Sequence, residues 1–171
     1  MFLDTKGKAV EKFNAYKHFR GFTLDGAALA KKDDETGIVY SDGSFKPMDI
    51  LKDLDEKTIL MSDFNDGYCL INQKKRMFII NLIGDIVIDN IVTNTLHHDI
   101  DLQGNGIRNG LIGSGHYIIQ LNNQYELRKI SSNTLVKTFT SPKKLLMFEM
   151  DTNYINLIWA DDAPEILSLS K

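Results

Sequence analysis

The chain has 171 residues, of which 43% are hydrophobic and 25% are charged, and its formal net charge at pH 7 is −3. This composition is that of a soluble globular domain, and the acidic balance argues against a binder of duplex nucleic acid, which needs a basic face. Cys69 is the single cysteine, which excludes an internal disulfide, and no apolar run is as long as a membrane span. We therefore expect one domain, residues 1–171, in a reducing cytoplasm.

The first 21 residues allow two interpretations. Residues 2–4 are predicted to form a strand, residues 6–8 a turn around glycine, and residues 9–13 a second strand. A short helix over residues 8–19 is the alternative, because apolar residues recur there every three positions at Val10, Phe13, Tyr16 and Phe19.

Residues 22–51 contain the first full set of strands. The mixed-charge residues 31–36 are predicted to form the solvated tip of a hairpin, and Pro47 is predicted at an edge or bulge of the third strand because it cannot donate to a ladder. Residues 57–61 form a further strand candidate, which is either the outer strand of this unit or the beginning of the next.

Residues 66–91 show the repeating unit most clearly. The pair Asp66-Gly67 predicts a turn, since glycine accepts the positive φ that hairpin turns need. Short apolar runs at residues 68–71, 77–80 and 86–88 follow, separated by polar residues, and they are too short and too β-branched for helices. The unit is therefore predicted to be three antiparallel strands.

The unit recurs along the chain. A shift of 41 positions aligns Leu29 with Leu70 and Gly43 with Gly84 without a gap. A shift of 49 aligns Tyr117 with Tyr68 and puts Asn133, which tolerates a left-handed backbone, in the place of Gly84. Residues 145–148, 154–159 and 165–169 form a further copy, and residues 1–21 an incomplete one. The predicted units are 1–21, 22–63, 64–112, 113–142 and 143–171.

Strand repeats of this length predict an all-β fold in which neighbouring units share a core. The first choice is a small five-repeat β-propeller-like fold of antiparallel units with three to four strands each, and an open β-solenoid array is the alternative. The predicted core comprises Leu29, Val39, Leu70, Ile80, Val87, Ile118, Leu127, Leu135, Leu146, Ile155 and Leu157.

Two of the units resemble the WG (KWG-like) repeat family of bacteria and their phages. The resemblance rests on Phe64-Asn65-Asp66-Gly67-Tyr68, on Phe22 to Gly26, and on the later turns at Gly43 and Gly84, whereas the Trp-Gly pair of the family is missing because Ala160 follows Trp159. It implies a β-repeat scaffold used for binding, in the host cytoplasm if a phage encodes it, and it implies no reaction.

Residues 91–113 depart furthest from the repeat, and loops on rigid scaffolds often carry function. His97, Asp99 and Asp101 alternate along a predicted strand and have residue types that bind zinc or manganese, although a polar strand edge explains them equally. Glycines at residues 104–115 precede a strand and not a helix, which argues against a nucleotide loop. We predict neither a metal nor another cofactor.

Basic turns and repeated tyrosines are the other candidate features. Lys74, Lys75 and Arg76 are either partner contacts or solvated hairpin ends, and Tyr117 is either a surface for stacking or inter-unit core. The predicted binding residues are Lys74, Lys75, Arg76, His97, His98, Asn105, Arg108, Asn109 and Tyr117.

No catalytic constellation occurs in the sequence, so the leading hypothesis is a non-enzymatic scaffold that binds a protein partner. The resemblance extends this hypothesis to a phage or bacterial inhibitor that sequesters a host or defence protein. The alternatives are a β-propeller that binds a carbohydrate or small ligand, and a metal-dependent enzyme built on His97, Asp99 and Asp101.

Overall fold

The chain forms antiparallel β-sheets that follow one another along the sequence. The computed structural model describes residues 6, 10–17, 22–52, 59–61, 63–73, 76–91, 112–143, 145–160 and 162–169. These residues form four sheets and two helical turns of the 3₁₀ type, Glu11–Phe13 and Asp49–Leu51. The predicted all-β, propeller-like class is thereby confirmed.

The strands of each sheet are neighbours in sequence. The first sheet contains β1 (Tyr16–Lys17), β2 (Ala27–Lys32), β3 (Glu35–Tyr40) and β4 (Phe45–Pro47). The second contains β5 (Ile59–Met61), β6 (Tyr68–Gln73), β7 (Arg76–Asn81) and β8 (Ile86–Ile88). The third contains β9 (Ile112–Gly113), β10 (His116–Leu121), β11 (Gln124–Lys129) and β12 (Leu135–Thr140). The fourth contains β13 (Leu145–Met150), β14 (Tyr154–Trp159) and β15 (Glu165–Ser168).

The sheets pack on one another in chain order. We call the side that faces the following sheet the forward face and the opposite side the backward face. One apolar cluster joins the first and second sheets through Leu29, Ile38, Ile71 and Phe78. A second cluster joins the second and third sheets, and a third joins the third and fourth. Each fully buried Ile, Leu or Phe in these clusters contributes about 1.5–3 kcal/mol of transfer free energy, so inter-sheet packing is the main source of stability.

A common ladder register puts equivalent residues on the forward face. The third residue of the second strand pairs with a residue of the following strand in each of the three four-stranded sheets. These forward pairs are Leu29–Ile38, Leu70–Ile79 and Ile118–Leu127. The shift of 41 between the first two sheets is thus confirmed, because it maps Leu29 on Leu70 and Ile38 on Ile79.

In the third sheet, the predicted shift of 49 positions is wrong for the strands β10 and β11 and correct for the turn that follows them. Ile118 and Leu127 lie 48 positions after Leu70 and Ile79, whereas Asn133 does lie 49 after Gly84. One additional residue therefore lies in the turn between β11 and β12. Because a slip of one residue exchanges the two faces of a strand, Tyr68 and Tyr117 are not equivalent. Both pack in the cluster between the second and third sheets, on opposing faces.

The N-terminal residues 10–17 cover the backward face of the first sheet. Phe13 and Tyr16 pack there with Ala28 and Ala30. The hydroxyl of Tyr16 donates to the carbonyl of Gly43 at 3.2 Å. The predicted strand at residues 9–13 is wrong, because its last three residues form a 3₁₀ turn, and the alternative helix ends there as well. The predicted strand at residues 2–4 lies outside the described residues.

The five predicted units are not all seen as sheets. The described part of residues 1–21 adds the short strand β1 to the first sheet, and the described residues form four sheets, so a count of five is not confirmed. Strand β5, one of the two alternatives for residues 57–61, pairs with β6 and therefore begins the second sheet.

Two residues predicted in the core are exposed. Val87 is 37% exposed because it is the extra residue of a bulge, since its neighbours Ile86 and Ile88 pair with consecutive residues of β7. Leu135 is 50% exposed because it begins the edge strand β12. Leu70 is half-buried, and the side chain of Leu146 lies outside the described residues. The other predicted core residues are buried, namely Leu29, Val39, Ile80, Ile118, Leu127, Ile155 and Leu157.

Candidate functional site

A groove runs between the outer ends of the first and second sheets. One wall consists of residues 46–50, which connect β4 to the second 3₁₀ turn, and the other of residues 83–86, the turn that leads into β8. The groove has a volume of about 450 Å³ and is shallow and open to solvent. It is the concave surface on which we build the candidate site.

Glycine allows the two walls to meet. Gly84 has a φ of +85°, a conformation that L side chains rarely adopt, and a Cβ atom built on it lies 3.3 Å from Sδ and Cε of Met48. Met48 is 6% exposed and belongs to the core between the sheets. The positive φ is therefore the main reason for glycine at position 84, and the end of the Met48 side chain packs closely against it.

The turn at residues 81–85 is held by hydrogen bonds. The side-chain oxygen of Asn81 accepts from the backbone N–H groups of Ile83 at 3.1 Å and Asp85 at 2.9 Å. The hydroxyl of Tyr40 in the first sheet donates to the carbonyl of Leu82 at 2.7 Å, and the ammonium of Lys46 donates to the carbonyl of Ile83. This wall of the groove is consequently fixed before any ligand binds.

The floor of the groove is apolar and its rim is charged. Ile50 and Ile86 are half-buried and pack against the core, whereas Asp49 and Asp85 are exposed. Lys46 contributes one positive charge, but its ammonium is engaged with the other wall. The lining therefore combines an apolar contact surface with two exposed carboxylates. Such a lining suits a ligand that carries an apolar side chain next to a basic one.

The sequence did not predict this groove. Pro47 was placed correctly in an edge strand, since β4 is the last strand of its sheet. The apolar residues Met48 and Ile50 on either side of Asp49 are the signal in the sequence, but they line a site only because the second sheet lies beside them. Residues 83–85 were predicted to form a turn and Ile86 to begin a strand, and neither was predicted to line a surface for binding.

Arg76, one of the predicted binding residues, is held by an acidic neighbour. Its Nε and Nη2 atoms donate to the two carboxylate oxygens of Asp89 at 2.9 and 2.8 Å. The hydrogen bonds from Arg76 hold the pKa of Asp89 below its usual value. The guanidinium carbon also lies 5.1 Å from the ring centre of Phe78. The side chains of Arg76 and Asp89 are each 40% exposed. A partner can therefore reach them from solvent, but it must compete with the ion pair between them.

Tyr117 takes the core position, one of its two predicted alternatives. It is 4% exposed, and its hydroxyl donates to the side-chain oxygen of Asn133. Burial raises the pKa of the Tyr117 hydroxyl. The ring therefore joins the second and third sheets and presents no surface for stacking in this structure.

The other predicted binding residues lie outside the described part of the chain, namely Lys74, Lys75, His97, His98, Asn105, Arg108 and Asn109. The candidate metal ligands Asp99 and Asp101 lie outside it as well. Among the residues that the structure does describe, no three His, Cys, Asp or Glu side chains come together as a possible metal site. Neither helical turn in the described ranges is long or apolar enough to cross a membrane.

Comparisons with known proteins show the fold alone. Neither a protein family nor a curated protein matches the sequence. The designed propeller-like protein Ika4 matches over 87% of this chain and 88% of its own, with a TM-score of 0.50 and 8% identity. The designed protein Ika8 matches over 90% of this chain and 46% of its own (TM-score 0.50, 7% identity), and Hsv2 of Kluyveromyces lactis over 92% and 50% (0.52, 8%). This chain thus spans about half the length of the Ika8 and Hsv2 chains.

Proposed function

We propose that this chain is a non-enzymatic scaffold that binds a segment of a partner protein in the groove between its first two sheets. The observation that carries the proposal is the pre-formed groove itself, with the apolar floor of Ile50 and Ile86 and the carboxylates of Asp49 and Asp85 at its rim. Rigid β-sheets on either side mean that little conformational entropy is lost at the groove on binding.

The chemistry of the lining indicates the partner segment. An apolar side chain the size of Leu or Ile that becomes buried on the floor contributes about 1.5–3 kcal/mol. A Lys or Arg next to it meets the exposed carboxylates, which mainly accelerate and orient association. A segment with adjacent apolar and basic residues on the partner surface therefore fits best.

The biological form of this proposal is an inhibitor that sequesters a host or defence protein in the cytoplasm. The support for this form is the resemblance to WG repeats, and binding without chemistry is sufficient for it. The protein-binding proposal does not depend on this form, since the groove favours a protein segment in any setting.

The test uses the intact chain as bait in native cytoplasm, with the mass and metal content of the eluate measured. The bound protein is then titrated against the double variant Asp49→Lys/Asp85→Lys. The control is Asp34→Lys/Glu35→Lys, which makes the same charge change at the exposed tip between β2 and β3. Circular dichroism checks that both variants fold.

We expect the groove variant to bind at least about tenfold more weakly, which corresponds to ~1.4 kcal/mol, while the control keeps its affinity. Equal affinity for the two variants would show that the groove is not the site. Signal on a glycan array without a stoichiometric protein partner would favour the carbohydrate alternative, and bound metal would favour the enzyme.

A further inference from the structure

The last strand of the third sheet, β12, has a long and open edge. The last strand is an edge strand in each of the four sheets, and the outward backbone groups of an edge can pair with another chain unless the edge is short or blocked. β4 has three residues and contains Pro47, β8 has three residues with a bulge at Val87, and β15 has four residues. β12 has six residues, contains no proline, and is regular from Lys137 to Thr140 after a bulge at Val136. It is therefore the least protected of these four edges.

The ladder register shows which backbone groups of β12 point away from β11. The N–H of Ser141 donates to the carbonyl of Asn123 at 2.9 Å, and the same register continues without a break to Lys137. Because the bonds of an antiparallel ladder alternate, every second residue counted back from Ser141 bonds to β11, whereas Thr138 and Thr140 point their N–H and C=O groups outward. Neither threonine has a hydrogen bond to any other described residue on that side. Two donors and two acceptors are thus available to a strand that lies beside β12.

The side chains along this edge are open to contact. Leu135 and Val136 are 50% and 44% exposed at the beginning of β12, and the two outward-pointing threonines are exposed as well. Phe139 stacks on Tyr125 with ring centres 5.1 Å apart and remains partly exposed. A strand added to β12 would place a side chain beside the Phe139 ring and would cover the two aliphatic residues. The edge therefore offers apolar contact in addition to backbone hydrogen bonds.

The charge near this edge is positive. The cations of β11 and β12 are Arg128, Lys129 and Lys137, and their one carboxylate is Glu126, so these two strands carry a formal charge of +2 in a chain whose net charge is −3. Glu126 forms an ion pair with Arg128 at 2.8 Å, and no described carboxylate pairs with either lysine. Because side chains alternate along a strand, both lysines lie on the same face as Phe139. This charge is complementary to an acidic partner.

We propose that β12 binds an extended acidic segment of a partner protein, which adds to the third sheet as a fifth strand. The outward backbone groups of Thr138 and Thr140 bond to the backbone of the segment, as in other cases where a peptide extends a sheet. A carboxylate opposite Lys137 meets an ammonium group that otherwise donates to the carbonyl of Ser168. Thr and Val on either side of it suit a strand and pair well with the threonines of β12. This site is separate from the groove between the first two sheets and does not depend on it.

The test titrates the intact chain with the blocked peptide Thr-Val-Thr-Glu-Thr-Val-Thr and follows its backbone amides by two-dimensional NMR. We expect saturable binding, with shifts centred on Thr138 and Thr140, and a peptide with Lys in place of Glu should bind at least about threefold more weakly.

Two variants and a control test the contacts. Thr138→Pro should abolish binding, because it removes an outward N–H, and Pro47 in β4 shows that an edge strand of this fold accepts proline at an outward position. Lys137→Glu should reverse the order of the two peptides. The control Lys52→Glu makes the same charge change at an exposed residue after the second 3₁₀ turn and should keep the order. Circular dichroism checks that each variant folds.

Each other outcome overturns the proposal. Absence of saturable binding, or equal binding of the two peptides, would show that the edge does not select an acidic strand. Binding that persists in folded Thr138→Pro, or shifts centred on residues 46–50 and 83–86, would place the peptide elsewhere. Self-association of the wild-type chain that Thr138→Pro removes would show that a second copy takes the edge instead. If Thr138→Pro does not fold, the peptide order in Lys137→Glu decides. Failure of the peptide to bind β12 leaves the groove proposal unchanged, since the groove has its own variants.

Discussion

Two isoleucines that differ in burial test how much packing between sheets contributes to stability. Ile79 lies on the inner strand β7 of the second sheet and is 0% exposed, whereas Ile166 lies on the edge strand β15 of the fourth sheet and is 68% exposed. Replacing either by Ala removes the same three carbon groups. The difference between the two variants therefore mainly reports the burial of Ile79.

The magnitudes follow from that exposure. Three buried carbon groups at ~0.8 kcal/mol each give ~2.4 kcal/mol of lost transfer free energy. The cavity that remains raises the cost of Ile79→Ala above this value, to as much as ~5 kcal/mol. Only about a third of the Ile166 side chain is buried, so its replacement by Ala should cost a third of the transfer term, or ~0.8 kcal/mol.

Urea unfolding followed by circular dichroism measures both values, at a protein concentration where sedimentation shows single chains. We expect the free energy of unfolding of Ile79→Ala to be lower than that of Ile166→Ala by at least ~1.5 kcal/mol. Equal losses would mean that the third sheet does not cover Ile79 in solution, and the stacking of the sheets in chain order would then be wrong.

Three further predictions concern single contacts. Gly37→Ala should lower the free energy of unfolding by at least ~2 kcal/mol in urea, because its Cβ would lie 2.1 Å from the carbonyl oxygen of Lys46 in the neighbouring strand, which is backbone and cannot yield; wild-type stability in this variant would contradict the β3–β4 pairing. Arg76 lowers the pKa of Asp89, so the ion pair stabilises the fold above the ordinary carboxyl pKa, and this stabilisation is lost as the pH falls through the lowered pKa. The unfolding temperature of Asp89→Asn should therefore be below that of the wild type at pH 7 and converge with it at pH 2. A difference that stays constant with pH would refute the ion pair. Cys69 is 0% exposed, so a thiol reagent should label it only as fast as the protein opens, at a rate that rises with urea, and immediate labelling in native buffer would contradict its burial.

The sequence predicts those parts of the fold that depend on local chemistry. Turn positions were identified because few residues adopt a positive φ: Gly43, Gly84 and Asn133 have φ angles of +93°, +85° and +52°. The class of fold followed from short β-branched runs between such turns. Both signals arise within a few residues of one another, so a single chain reveals them.

The sequence did not predict on which face of its sheet each strand residue lies. The additional residue between Lys129 and Asn133 changes the repeat shift from 48 to 49, and a bulge leaves Val87 without a partner. Either event exchanges inside and outside for the residues that follow. Apolar patterns alone do not locate such a residue, because both faces of a stacked sheet are apolar.

The groove is a property of two neighbouring sheets, which explains why the sequence did not reveal it. Ile86 lines the groove only because residues 46–50 lie opposite. The predicted site at residues 97–109 came from a different signal, which is irregular composition. It stays a prediction, since those residues lie outside the described part of the chain.

The N-terminal segment covers the backward face of the first sheet without forming a separate sheet. The backward face of the first sheet is lined by Ala28, Ala30 and Val39, and these small side chains leave room for aromatic rings that a sheet of Leu and Ile would fill itself. Phe13 and Phe22 take this space, with ring centres 5.0 Å apart. Residues 10–17 and Phe22 therefore make contacts like those of a neighbouring unit, whereas an alignment of strand patterns counts this part of the chain as a unit that has lost its first strand.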